Sequence, residues 1–375
     1  MDAKKRFLRI ASFSLGITLA LIAEALGAPS VSSITGTQQH NSQITITGSG
    51  FGSKPQATPV LWENFEAGTS GQIIAGSKPV YGPSWTDFST LSQSRPTFTN
   101  ASQRHSLSAL SSHHDFVTAG NYNSSLKHYG QYSTVYLSFW WRYERLPGAP
   151  YSRNVKAWTE YGSQGNFPMA YTGMGDPSAG DGTIRNSVQD NNTLAGPVLW
   201  GKTSIASIER EWVRFEMYLV QSSPGTPDGV FSYWTQRPNA SSPSVTLEGS
   251  NTSYTTRLTS NTWHLWEFGS YYDNNPSTAR AHVYIDDIYL DTTPARVEIG
   301  NASTWNASTR REIQTPTQWS STAITVKVNQ GSFASLANTY LYVIDSNGTV
   351  NANGYPLCSS NCPSPPAAPK NLRAQ

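Results

Sequence analysis

Three segments of the chain place polar and aromatic side chains at every second residue: Thr134–Arg145 (TVYLSFWWRYER), 154–161 and 211–221. A period of two over β-branched and aromatic residues predicts a strand with two different faces. One face of each segment is apolar, and the other carries residue types that stack on sugar rings and hydrogen-bond to them. The side chains expected on that second face are Arg142, Lys156, Trp158, Arg214, Glu216 and Tyr218.

These side chains could either bind a sugar or catalyse one class of reaction. A polysaccharide lyase neutralises a uronate with Arg, Gln or Asn and removes a proton with His, Tyr or Lys. Arg142, Lys156, Arg214 and Tyr218 could do this if their strands are neighbours and share a concave surface. Trp158 would then be an exposed stacking platform. The alternatives are a solvated sheet without a ligand and, for Trp158, a place in the core, since the chain has 12 Trp.

Glycosidase chemistry is not expected. A retaining glycosidase needs two carboxyl groups about 5 Å apart, and jelly-roll enzymes place them on alternate residues of one strand. Asp286 and Asp287 are adjacent, so in a strand they point to opposite faces. Glu209 and Glu211 precede their strand. The sequence therefore favours a binding protein over an enzyme, and a lyase if it is an enzyme.

The composition indicates an all-β protein. Charged residues are only 13% of the chain, while Gly (29) and Pro (23) are frequent, which suits short strands joined by turns, as in a sandwich or jelly roll. The net charge of +2 makes no electrostatic case for nucleic acid as a partner. The seven His show no metal-ligand spacing, and the pair His113 and His114 is expected in a loop.

Both ends of the chain carry processing or linker signals. Residues 1–28 combine a basic start, an apolar run and small residues, which predicts a signal peptide and an exported protein that is secreted, periplasmic or on the cell surface. No other segment is long enough to cross a bilayer, so no permanent membrane insertion is expected. Cys358 and Cys362 are expected to form a disulfide, because a zinc site would need two more ligands. Residues 358–375 read as a Pro-rich linker.

Residues 44–52 (ITITGSGFG) resemble the V-T-I-x-G-x-G-F-G phrase of immunoglobulin-like IPT/TIG modules. The remaining strands of such a module do not follow directly, but short strands reappear after Asp291. We expect residues 29–59 and 293–357 to be two parts of one immunoglobulin-like sandwich, with residues 60–292 inserted as a separate domain. Two separate small modules are the alternative.

Residues 60–292 resemble the concanavalin A-like jelly rolls, which include laminin G-like domains, several polysaccharide lyases and legume-type lectins. Trp212 and Arg214 are followed by an Asp-Gly turn and by a strand that ends at Trp234, and residues 282–290 resemble the closing strand. The phrase departs from the usual pattern after Trp234, where no second Asp-Gly or Asn-Gly turn follows. In jelly-roll binding modules, an early F-E phrase and an acid on the last strand often hold a structural calcium ion. The resemblance implies Glu66 and Asp286 as those ligands.

The sequence thus predicts an all-β, exported, carbohydrate-binding or adhesion-type protein. Its fold is expected to be a concanavalin A-like jelly roll inserted in, or flanked by, a small immunoglobulin-like sandwich. The expected partner is a polysaccharide or a cell-surface glycan. A polysaccharide lyase acting on a uronate-containing glycan and a structural surface protein without a glycan ligand remain as alternatives.

Overall fold

The structure is a computed structural model that describes residues 27–87, 94–117, 123–164, 167–273 and 277–358. The predicted signal peptide, apart from its last two residues, and the Pro-rich tail beyond Cys358 lie outside these ranges. A helix long and apolar enough to cross a membrane is not found among the described residues. Their regular structure is almost entirely β, so the predicted fold class is confirmed.

Twenty-two strands are present in the described ranges, with one short helix, α1 (Ile205–Ile208), and two 3₁₀ turns, Pro177–Ala179 and Trp305–Ala307. The strands are β1 (Ser30–Gly36), β2 (Gln43–Ser49), β3 (Leu61–Glu63), β4 (Thr97–Thr99), β5 (Ser111–Asp115), β6 (Leu126–Tyr129), β7 (Thr134–Arg145), β8 (Val155–Gln164), β9 (Phe167–Met174), β10 (Thr183–Asp190), β11 (Thr193–Leu194), β12 (Leu199–Ser204), β13 (Val213–Val220), β14 (Gly229–Arg237), β15 (Ser244–Tyr254), β16 (Trp263–Tyr272), β17 (Ala281–Asp291), β18 (Arg296–Gly300), β19 (Arg311–Trp319), β20 (Ala323–Lys327), β21 (Tyr340–Ile344) and β22 (Tyr355–Pro356).

Two antiparallel sheets form the jelly-roll sandwich. Sheet I has the order β15-β14-β13-β7-β17-β5-β4, with β3 also paired to β17. Sheet II has the order β11-β10-β9-β8-β16-β6, with β12 also paired to β10. The segments 134–145 and 211–221 are therefore neighbours in sheet I, whereas 154–161 belongs to sheet II.

The core of the sandwich lies between sheets I and II. Alternate residues of β7, from Val135 to Tyr143, enter it and are fully buried, as the period of two predicts. The ring of Phe139 lies 5.6 Å from that of Phe215 in sheet I and 5.8 Å from that of Phe268 in sheet II. Apolar burial of this kind stabilises by about 25 cal/mol per Å², so the aromatic faces hold the two sheets together.

Sheet III brings the two flanks of the chain side by side, in the order β1-β2-β20-β19-β18-β21-β22. Ile46 of β2 lies directly opposite Ile324 of β20. Both belong to one buried apolar cluster with Val297 and Val343. The division into 29–59, 60–292 and 293–357, and the immunoglobulin-like character of the flanks, stay our predictions.

The outer face of sheet I packs against the flanking strands through buried ion pairs. Arg214 Nη1 lies 2.8 Å from Glu298 Oε2, and Arg104 Nη1 lies 2.9 Å from Glu312 Oε1. Lys54 Nζ lies 2.6 Å from Asp291 Oδ2. Buried charges are tolerated when they are paired and hydrogen-bonded, so these contacts join the flanking strands to the outer face of sheet I.

Candidate functional site

From their shared alternation we also predict that these six side chains form one continuous surface, and the structure shows that this prediction is wrong. The outer face of sheet I carries Arg142, Arg214, Glu216 and Tyr218. Lys156 lies on the outer face of sheet II, and Trp158 points into the core between the sheets.

Trp158 is not an exposed platform. Its side chain is 0% exposed, its ring lies 6.1 Å from that of Trp266, and its Nε1 donates to Thr172 Oγ1 at 2.6 Å. The cause is a shift of register in β8 between Lys156 and Trp158. Such a bulge puts on opposite faces two residues that strict alternation would put on the same face.

Arg214 and Glu216 are on the predicted face of β13, but that face is covered. Arg214 is 1% exposed; its Nε donates to Ser138 Oγ at 2.7 Å, and its ion pair with Glu298 joins it to β18. The alternation of polar and apolar residues gave the correct face, but it carries no information about what packs on it. Arg214 therefore cannot meet a polysaccharide in this structure.

A cavity of about 230 Å³ lies beside these residues, between sheet I and the flanking strands. Glu216 and Tyr218 line it from β13, and Arg296 and Trp305 line it from the other side. Tyr136 Oη donates to Glu216 Oε2 at 2.7 Å, while Glu216 Oε1 is buried without a hydrogen-bond partner among the described residues. Part of the predicted set thus reaches a pocket, although not the surface that the sequence suggested.

The outer face of sheet II gathers a different set of polar and aromatic side chains. Directly opposed residues of antiparallel strands share a face, and Lys156 lies opposite Tyr271 on β16 and Gly173 on β9. Gly173 in turn lies opposite Arg185 on β10. We call this surface the Lys156 face; its members are Lys127, Lys156, Tyr161, Tyr171, Arg185, Gln189, Trp200, Glu267 and Tyr271.

Lys156 lies between two tyrosines on this face. Its Nζ is 4.5 Å from the ring centroid of Tyr171 and 5.1 Å from that of Tyr271. Burial lowers the pKa of the Lys156 ammonium below its ordinary value; Glu267 opposes this, and Arg185 adds to it. A lysine with a lowered pKa holds more of its neutral amine at a given pH, which is what a proton acceptor needs.

The neighbouring strands add further polar and aromatic groups to the Lys156 face. Gln189 Nε2 donates to Tyr171 Oη at 3.4 Å. The guanidinium of Arg185 lies 5.5 Å from the ring centroid of Trp200, which is 54% exposed. An arginine can hold a carboxylate in bidentate fashion, and an exposed indole presents a flat apolar surface to a sugar ring.

Glu267 lies on the floor of the Lys156 face. It is 1% exposed, and burial raises its pKa to about 7, although Lys127 and Lys156 lower it. Lys127 Nζ lies 3.9 Å from Glu267 Oε1. The carboxyl group of Glu267 therefore changes charge near neutral pH, and this change alters the electrostatic surroundings of Lys156.

Sequence reasoning found only Lys156 of this face. The signal that was missed is the alternation in β10, where Arg185, Ser187 and Gln189 share one face, and in β9, where Tyr171 is flanked by residues of the opposite face. Both strands lie beside the Gly-rich stretch 173–182, which reads as a loop. Because of these turn residues, the sequence did not reveal that two strands place polar side chains on the Lys156 face.

The residues expected to hold calcium lie close together, but their contacts do not fit a cation. Both oxygens of Glu66 accept the backbone N–H of Ala109 at 3.0 Å. Ser108 Oγ lies 3.0 Å from Glu66 and 3.1 Å from Asp286, and the guanidinium of Arg104 lies 3.8 Å from Asp286. Calcium needs oxygen ligands, whereas here N–H donors and a cation meet the carboxylates. The calcium site stays a prediction that these contacts do not favour.

The cysteine pair falls at the edge of the described residues. Cys358 is disulfide-bonded. Cys362, the other cysteine of the sequence, lies outside the described residues.

Comparisons with known proteins return similar folds without close relatives. No family model matches the sequence, and no curated protein matches it. The endo-β-1,4-glucuronan lyase of Trichoderma reesei is similar at a TM-score of 0.42 and 10% identity, over 63% of this chain and 96% of that one. The PL-14 alginate lyase of Aplysia kurodai gives 0.38 and 11%, over 52% and 86%. Lectin II of Ulex europaeus gives 0.30 and 5%, over 49% and 88%. Identities and scores this low say nothing about activity.

Proposed function

We propose that the Lys156 face binds a uronate-containing polysaccharide and cleaves it by β-elimination, in a protein that is exported from the cytoplasm by the predicted signal peptide. The observation that supports this best is the position of Lys156 between Tyr171 and Tyr271 on the outer face of sheet II. Arg185 and Gln189 lie on the next but one strand of the same face. A proton acceptor, phenolic hydroxyls and carboxylate-binding groups are thus within one surface.

Some side chains of the Lys156 face would bind the substrate, and others would carry out the reaction. Arg185 and Gln189 would neutralise the uronate carboxylate by charge and hydrogen bonding, which makes the proton at C5 more acidic. Trp200 would stack on a neighbouring sugar ring at the edge of the surface. Because these residues belong to β10 and β12, adjacent strands of one sheet, their spacing is set by the pairing of the backbone.

The reaction then needs one base and one acid. The neutral amine of Lys156 would take the C5 proton, the electron pair would form the C4–C5 double bond, and the C4–O bond to the leaving chain would break. The hydroxyl of Tyr171 would give its proton to the leaving oxygen. No water enters the product, and the two protein groups exchange their protons with solvent afterwards.

The test is an assay with a panel of uronate polysaccharides, in which the absorbance of the unsaturated product is followed. Wild-type protein should give a rising signal on at least one polymer, and Lys156→Ala should lower the rate by at least a hundredfold. Arg142→Ala is the matched control, because its guanidinium lies on sheet I and pairs with Glu144 at 3.2 Å. Equal loss in both variants would contradict the assignment of Lys156.

Binding without cleavage is the second candidate, and one observation favours it. The cavity of about 230 Å³ between sheet I and the flanking strands combines Trp305, Trp234 and Tyr218 with the unpartnered Glu216 Oε1. Aromatic walls and a buried acceptor would suit a neutral sugar that donates a hydroxyl. In this case glycan binding should fall in Trp305→Ala and persist in Lys156→Ala. The lyase proposal requires the reverse.

A further inference from the structure

Two histidines and an aspartate meet on the outer face of sheet I. His113 and Asp115 belong to β5, and His282 belongs to β17. One ligand atom from each lies within 4.8 Å of the others. The sequence prediction that His113 and His114 lie in a loop is wrong, because both are in β5. The cluster belongs to the opposite sheet from the Lys156 face, so it plays no part in the proposed elimination.

The pairing of the strands holds the three side chains in place. His113 and Asp115 are two residues apart and share a face, and Asp115 lies directly opposite His282. His113 Nε2 lies 2.9 Å from His282 Nδ1, and His282 Nδ1 lies 3.8 Å from Asp115 Oδ1. Ligand atoms on a tetrahedral zinc ion, at about 2.0–2.1 Å from the metal, lie about 3.3 Å from one another. The two observed separations lie on either side of that value.

The cluster is accessible and has supporting contacts. All three residues are partly buried rather than enclosed. The ring of Tyr284 stacks on that of His113 at 5.1 Å, which limits rotation of the imidazole. Sheets place ligands more rigidly than loops do.

Side chains of the neighbouring strands surround the cluster. On β7, Glu144 lies opposite His282 and Arg142 lies opposite Tyr284. Glu144 and Arg142 form an ion pair with each other. On β4, the uncharged Thr97 lies opposite His113. The positive charge of Arg142 near the cluster is therefore paired with a carboxylate.

We propose that His113, Asp115 and His282 form a binding site for one zinc ion. Two imidazoles and one carboxylate are a donor set that zinc and related divalent transition metals prefer, whereas calcium and magnesium prefer oxygen ligands alone. A bound ion would join β5 to β17 and leave a coordination position for water.

The experiment is isothermal titration of zinc chloride into the full chain after treatment with a chelator. Wild-type protein should bind one ion per chain. His113→Ala and His282→Ala should each weaken binding at least tenfold. His264→Ala is the matched control, since this partly buried histidine is on β16 of sheet II beside Tyr129, and it should bind as the wild type does.

Two further measurements keep the test decisive if an alanine variant is unstable. Asp115→Asn changes little in size and should also weaken binding at least tenfold. Cobalt(II) should give visible absorption typical of four or five ligands in the wild type and lose it in Asp115→Asn. Absence of zinc binding to the wild type, or equal binding in all variants, would overturn the site. Uronate cleavage should not change in any of them, so failure here is distinct from failure of the lyase proposal.

Discussion

Lys156 owes its proposed role to its surroundings. An exposed lysine is protonated at neutral pH, but this one is partly buried beside Arg185 and between two aromatic rings. Burial and a nearby like charge both disfavour the protonated amine, so both lower the pKa of Lys156. Glu267 acts in the opposite direction, so the balance of these groups sets the pH at which the amine becomes neutral.

Glu267→Gln tests that balance. The carboxylate raises the pKa of Lys156, so removal of its charge should lower this pKa and let the amine lose its proton at lower pH. The rise of kcat/KM with pH should therefore move to lower pH in the variant. Glu144→Gln, on sheet I, should leave the profile unchanged. A shift of the Glu267→Gln profile to higher pH would contradict the assigned role of Lys156 as base.

At the scale of the element, one bulge in β8 decides which residues reach the surface. Strict alternation from Lys156 predicts Trp158 on the same face. The shift of register between them instead turns the indole into the core and leaves the lysine outside. A bulge leaves no periodic signal, so residue spacing alone could not reveal it. The alternation in β7 and β13 is regular, and there the sequence predicted the core face correctly.

Two tryptophans of sheet II offer a matched pair of variants. Trp158→Ala should lower the free energy of unfolding by about 3–5 kcal/mol, because it leaves a cavity in the core. Trp200→Ala should change this free energy by less than about 0.5 kcal/mol, since the side chain is 54% exposed. Urea denaturation measures both. A stability cost for Trp200→Ala as large as that for Trp158→Ala would show that the faces are assigned wrongly.

At the scale of the whole molecule, the outer face of sheet I serves as an internal interface. Arg214, Arg296 and Glu298 form a buried network in which Arg214 Nη1 to Glu298 Oε2 is 2.8 Å and Arg296 Nε to Glu298 Oε1 is 2.6 Å. The two arginines hold the pKa of the Glu298 carboxyl well below its usual range, against the effect of burial. This carboxylate therefore contributes stability above its unfolded pKa, and the contribution is lost as pH falls through the lower folded value.

Arg214→Ala should be strongly destabilising, by about 3–5 kcal/mol, because it leaves buried carboxylates without their partner. Arg142→Ala is the control, since its ion pair with Glu144 is partly exposed and worth about 1 kcal/mol or less. Denaturant unfolding at neutral pH compares them. Equal stability of Arg214→Ala and the wild type would show that the ion pairs do not hold the flanking strands to sheet I.

The sequence predicted the fold class of the molecule better than it predicted which side chains are exposed and lie together. Alternation and turn residues indicated an all-β jelly roll, because both are local properties of the chain. The covering of Arg214 by β18 and β19 depends on contacts between residues far apart in sequence, and no local pattern records them. The same reason explains why Lys156, Arg185 and Glu267 could not be grouped before their strands were placed side by side.

The most direct test of the proposed elimination is the origin of the atoms in the product. β-Elimination adds no water across the broken bond, whereas hydrolysis adds one water molecule. We expect that digestion of a uronate polysaccharide in water enriched in the heavy oxygen isotope gives unsaturated fragments without the isotope at the cleavage site, as measured by mass spectrometry. Tyr171→Phe and Lys156→Ala should form such fragments far more slowly than the wild type does. Fragments that carry the heavy isotope, or unchanged unsaturated fragments from both variants, would contradict the proposal.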